Sequence, residues 1–112
     1  MDKRFGSINI KAVGVTFENR QGGLWSVLKS GQKFKTILRR EPSNKYDANA
    51  VKILVQREDG VTVHVGYVPR NISFWLAQKM DAGLIVHAFN GHVIGRKKNT
   101  LGYACDIAYQ IP

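Results

Sequence analysis

The chain has one cysteine, Cys105, so it cannot form a disulfide within itself. His64, His87 and His92 stand on separate segments and, with a single thiol, give no zinc-ligand spacing. No apolar run approaches the ~18–20 residues of a membrane helix. The start, Met1-Asp2-Lys3-Arg4-Phe5-Gly6, has basic residues with no apolar stretch behind them, which reads against a signal peptide. A cytoplasmic, intracellular chain with no membrane partner is expected. The sequence has no internal repeat, no low-complexity segment, and no Gly-x-x-x-x-Gly-Lys-Ser/Thr phosphate loop to drive a motor. Paired carboxylates, a His-containing metal cluster and a nucleophile elbow are missing too. The expectation is therefore a binder, not an enzyme, with no metal and no cofactor. Acids are the scarce charge: 8 against 17 basic residues, a formal net charge of +9.

What is present is ordinary for a folded domain. The 112 residues are 44% hydrophobic and 22% charged, which fits one domain over 1–112 and excludes a disordered chain. The charge is uneven. Residues 1–40 hold nine basic residues and two acids, net +7; 41–95 balance at five each; 96–112 are net +2. A clustered basic surface favours phosphate backbones through counterion release, and equally suits a solvated, soluble face.

Periodicity sets out the elements. Ile8 to Phe17 alternates as a strand. Leu24, Val27 and Leu28 have helical spacing, ended near Gly31. Lys33–Arg39, Ala50–Gln56 and Val61–Val68 read as strands, the last two joined at Glu58-Asp59-Gly60. A helix opens at Pro69-Arg70-Asn71 and ends at Ala82-Gly83. Leu84–Ile94 and Leu101–Ile111 close the chain as strands. The fold class expected is mostly β, a small six-stranded β-barrel with one or two short helices. Short strands and tight turns suit closure rather than bare edges.

One connection is unusual: Arg40-Glu41-Pro42-Ser43-Asn44-Lys45-Tyr46-Asp47-Ala48-Asn49-Ala50-Val51. Pro42 fixes φ and ends a strand. Asn44, Asp47 and Asn49 bond nearby backbone and hold a compact loop. Tyr46 offers a flat ring, with the Asp47 acceptor beside it. Arg40 is a candidate partner for Glu41 or Asp47. Arg39, facing the other way, is the better free phosphate contact, and Arg96-Lys97-Lys98 form a loop tip suited to a sequence-blind phosphate grip.

This run, with Gly14-Val15-Thr16-Phe17-Glu18-Asn19-Arg20-Gln21, Val65-Gly66-Tyr67-Val68-Pro69-Arg70 and Met80-Asp81-Ala82-Gly83, resembles a HIRAN domain over about residues 8–95. The resemblance implies a modified OB-like β-barrel of six strands. In eukaryotes such domains are fused to helicase-like DNA-remodelling proteins of replication-fork repair, where they capture the 3′ end of single-stranded DNA. It places Tyr46 and Asp47 at the terminal nucleotide, Phe17 as a stacking ring, and Tyr67 and Arg70 against the DNA. Two positions depart from the eukaryotic pattern: Thr16 stands in place of a basic residue and Tyr67 in place of a histidine.

The functional expectation is a single-stranded DNA-binding module that favours free 3′ ends, in DNA repair or replication-associated processes. Its candidate contacts are Phe17, Tyr46, Asp47, Tyr67, Arg70 and Arg39. The expected partners are single-stranded nucleic acid, DNA ahead of RNA, and a separate helicase or nuclease. The alternative is a protein-interaction or scaffold module, or an RNA binder without DNA-end recognition.

Overall fold

The computed structural model describes residues 4–95 and 99–112. The basic loop tip at Arg96-Lys97-Lys98 lies outside the described residues. The elements run β1 (Arg4–Lys11), α1 (Arg20–Ser30), β2 (Phe34–Arg40), β3 (Val51–Arg57), β4 (Thr62–Tyr67), α2 (Arg70–Asp81), β5 (Val86–Gly95) and β6 (Leu101–Ile111). The strands form two antiparallel sheets, ordered β1-β6-β5 and β2-β3-β4.

Alternation decides which side chains go inward. In β3, Val51, Ile53 and Val55 are fully buried while Lys52 faces outward with its cross-strand partners Arg39 and Tyr67. The β3–β4 hairpin turns where Asp59 accepts the Val61 N–H and Gly60 takes φ +88°. Leu24 and Val27 of α1, and Leu76 and Ala77 of α2, join Ile10, Val65, Tyr103 and Ile107 in one core. α1 stops at Gly31 (φ +63°), as its spacing predicts.

The closed barrel is not formed. The two sheets meet at two seams, and neither seam is a ladder. At the first, Val13 exchanges N–H···O bonds of 2.9 Å with Tyr67, a single bridge. Gly14 then takes φ +70° and turns the chain away. At the second, β2 passes β5 at Gly91, where the Thr36 and Tyr103 hydroxyls bond each other at 2.5 Å. Side-chain hydroxyls fill the seam in place of backbone pairing. Strand length and spacing argue for closure, but closure depends on these seams.

The first strand is also shorter than its alternation predicts. β1 ends at Lys11, and the chain then enters a turn with Glu18 (φ +52°) and Asn19 (φ +61°) both left-handed. Phe17 therefore sits on this turn, not at a strand end.

Candidate nucleic-acid interface

The turn before α1, the 41–50 loop, the outward side of β3 and β4, and the start of α2 surround a cleft of about 820 Å³. Phe17, Tyr46, Asp47, Tyr67 and Arg70 all line it. Arg39 does not. It is exposed on β2, across from Lys52 on the same sheet face, just outside the cleft.

The 41–50 loop is built by its own short polar side chains. Asn44 Oδ1 accepts the N–H groups of Tyr46 and Asp47 at 2.9 and 3.0 Å. Asp47 Oδ1 accepts the Asn49 N–H at 2.9 Å, and the loop ends pair through Glu41 N–H to the Ala50 carbonyl at 3.0 Å. Such side-chain-to-backbone bonds fix a loop without regular structure. Arg40 clamps it from below, donating to the Ala48 and Ala50 carbonyls and to Asp81 at the end of α2. Arg40 thus pairs with Asp81, not with Glu41 or Asp47. The rigid loop pushes Tyr46 outward, where it is 76% exposed.

Arg70 returns from α2 to the same loop. It donates to the Tyr46 carbonyl at 2.9 Å, and its Nε stands 3.7 Å from Asp47 Oδ2. One Asp47 oxygen is thus committed to the loop turn, and among the described residues the other has only this long pairing. Phe17, on the facing turn, is 66% exposed. Two open aromatic rings, on Phe17 and Tyr46, therefore border one cleft.

Tyr67 is held differently. Its hydroxyl donates to Glu41 Oε1 at 2.8 Å, the Arg20 guanidinium lies 4.9 Å from its ring centre, and His64 meets it edge-on at 4.9 Å. Burial and the bond to Glu41 raise its phenol above the ordinary value. It is a wall of the cleft, more enclosed than Phe17 or Tyr46.

Glu41 forms the floor. Its Oε1 also accepts from Asn44 at 2.6 Å, and Oε2 lies 2.7 Å from Lys52 Nζ. Burial pushes this carboxyl up, but the bonds from Lys52, Asn44 and Tyr67 outweigh that and hold it at about 2. Arg20 is 7% exposed. It donates to the Gly14 carbonyl at 2.6 Å and pairs with Glu18 at 3.2 Å, tying the Phe17 turn to Tyr67. Burial, then the Arg20 charge, push His64 below its ordinary value.

Sequence reasoning missed Arg20, Glu41, Lys45, Lys52 and His64 as lining residues. Strand pairing could have found Lys52, since it stands beside Tyr67 once the β3–β4 hairpin is in register. Glu18 and Gly14 stand two and six residues before Arg20, but its burial also depends on the Tyr67 ring, which comes from β4.

The HIRAN domain family matches residues 5–111. The chain belongs to the HIRAN domain family. A crystal structure of a protein from Lactobacillus plantarum, a Northeast structural genomics target, superposes with a TM-score of 0.63 at 21% identity. The match covers 96% of this HIRAN chain and 99% of the other, and shows a shared fold. A search of curated proteins returned no match. Among the described residues, no group of three or more His, Cys, Asp or Glu side chains is placed to hold a metal, and no helix is long and apolar enough to cross a membrane.

Proposed function

We propose that this HIRAN domain binds single-stranded nucleic acid in the cleft, DNA ahead of RNA, and favours a free 3′ end. The observation that carries this reading is the pair of exposed rings, Phe17 and Tyr46, facing one cleft with Asp47 and Arg70 beside them. Open aromatic faces stack bases at about 1–3 kcal/mol each. Asp47 Oδ2 is the acceptor for a terminal 3′-hydroxyl. An internal 3′-oxygen is esterified and would bring a phosphate towards the carboxylate, which disfavours it. Arg70 reaches a neighbouring phosphate, and Tyr67 supports the wall. Arg39, outside the cleft, extends the basic path along β2.

On this reading residues 1–112 act as one binding domain inside the cell, with no catalytic role. Any motor or nuclease activity in repair or replication lies outside residues 1–112, with a separate helicase or nuclease as the proposed partner. The test is fluorescence anisotropy with oligonucleotides ending in a 3′-hydroxyl or a 3′-phosphate. The hydroxyl end should bind more tightly, and Asp47→Ala should lose that preference more than total affinity. Equal affinity for both ends sinks end recognition.

A second reading, a protein-interaction module, draws on Trp25 and Leu28 of α1 and Phe74 of α2, all exposed and outside the cleft. Retention on a heparin or DNA column, released steeply by salt, favours nucleic acid. No retention at low salt favours a protein partner.

A further inference from the structure

Four cations line the cleft: Arg20, Lys45, Lys52 and Arg70. Three are already engaged by the protein. Arg20 is buried and spends its guanidinium on the Gly14 carbonyl, Glu18 and the Tyr67 ring. Lys52 is paired to Glu41 at 2.7 Å. Arg70 donates to the Tyr46 carbonyl and faces Asp47. Among the described residues Lys45 has no carboxylate within 4.0 Å. Its ammonium lies 5.2 Å from the centre of the Tyr46 ring.

We propose that Lys45 is a phosphate contact of the cleft and leaves the Tyr46 ring when a base occupies that ring. This rests on the reading of the cleft as a single-strand site. The chemistry follows from competition for one surface. A cation over an exposed ring is weakly held, and a base stacking on the same face displaces it. That base brings its own phosphodiester, an anion within the swing of a four-carbon stem. A lysine ammonium is a compact point charge that needs no planar, bidentate partner. The loop backbone need not move, because Asn44 already fixes the Tyr46 and Asp47 N–H groups. Lys45 is then a switchable contact: it covers the ring in the free protein and neutralises a phosphate in the complex.

The experiment measures binding of a fluorescently labelled single-stranded oligodeoxynucleotide across a range of salt concentrations. It compares the wild-type chain with Lys45→Gln, Lys45→Arg and Lys29→Gln. Lys29 is a matched control, a lysine 5.8 Å from the Trp25 ring on α1, outside the cleft. Each neutralised phosphate adds about 0.7 to the slope of log K against log salt for a single strand. Lys45→Gln should lower the slope by about 0.7, so its deficit against wild type shrinks about fivefold for each tenfold rise in salt. Lys45→Arg and Lys29→Gln should keep the wild-type slope. Weaker binding by Lys45→Gln with an unchanged slope overturns the assignment, and so does an equal loss of slope in Lys29→Gln. If the wild-type chain binds no oligonucleotide, the single-strand reading falls as well.

Discussion

Replacing Glu41 by Gln removes the charge from the cleft floor and keeps the side chain's size. The carboxyl is held at about 2 in the folded chain against an ordinary value of 4.5. At about 1.4 kcal/mol per pH unit, that difference corresponds to about 3 kcal/mol of stability. The side chain is 22% exposed, so partial screening brings the expectation to about 2–3 kcal/mol. The folded value lies below the unfolded one, so the contribution is complete above the unfolded value and is lost as pH falls towards the folded value. Urea unfolding of wild type and Glu41→Gln, followed by circular dichroism from about pH 7 down to about pH 3, tests this. The variant should be less stable by about 2–3 kcal/mol near pH 7, and the gap should hold to about pH 5 and narrow below it. Asp59, Asp81 and Asp106 also lie below the ordinary carboxyl range. They make both proteins acid-sensitive, so only the difference between the two isolates Glu41. A gap that stays constant across pH, or no gap near pH 7, refutes the reasoning.

Arg20→Gln removes donors to Gly14 and Glu18 and should destabilise by about 2 kcal/mol, measured by urea unfolding. Glu18→Gln, at a carboxylate that is largely exposed, should cost far less. Gly91→Ala should destabilise by about 2–3 kcal/mol because its Cβ meets the Tyr103 and Thr36 hydroxyls. Gly95→Ala, where a Cβ meets nothing within 4 Å among the described residues, should leave the thermal midpoint nearly unchanged. Cys105 is fully buried, and burial, followed by the Asp106 charge, pushes its thiol up to about 12. Thiol reagents should therefore label it only through unfolding, and labelling of the native chain at the rate of a free cysteine counts against that burial.

The parts legible in the sequence were those encoded by neighbours. The 41–50 loop is held by Asn44 and Asp47 acting on backbone two or three residues away, so its compactness can be read from the run itself. The β3–β4 hairpin and both helix ends likewise follow from Asp59-Gly60, Gly31 and Gly83. The parts that were not legible depend on distant partners. Arg40 looks equally suited to Glu41 or Asp47, and only the packing of α2 brings Asp81 to it. Arg20 reads as one more surface base until Tyr67 of β4 closes over it. The alternation of residues 8–17 extends past the end of β1 because side-chain pattern cannot show where pairing stops. That stop is set by Gly14 after the single Val13–Tyr67 bridge, and the same turn carries Phe17 to the cleft. The departure from a closed barrel is thus part of how the site is made.

The +9 charge is not concentrated in the cleft. Arg20, Lys45, Lys52 and Arg70 are set against Glu18, Glu41 and Asp47, a net of one positive charge among the lining residues. Two of the cations, Arg20 and Lys52, hold the wall and floor in place. The exposed bases Lys33, Lys35 and Arg39 lie beyond the cleft lining, on β2 and the residue before it. On the proposed reading, capture and discrimination therefore fall to different residues. Long-range attraction comes from the outer bases and weakens with salt. Discrimination comes from two open rings and one incompletely paired carboxylate oxygen, held by hydrogen bonds at short range. On the same reading Lys45 joins the two, because among the described residues it is the lining cation with no carboxylate within 4.0 Å.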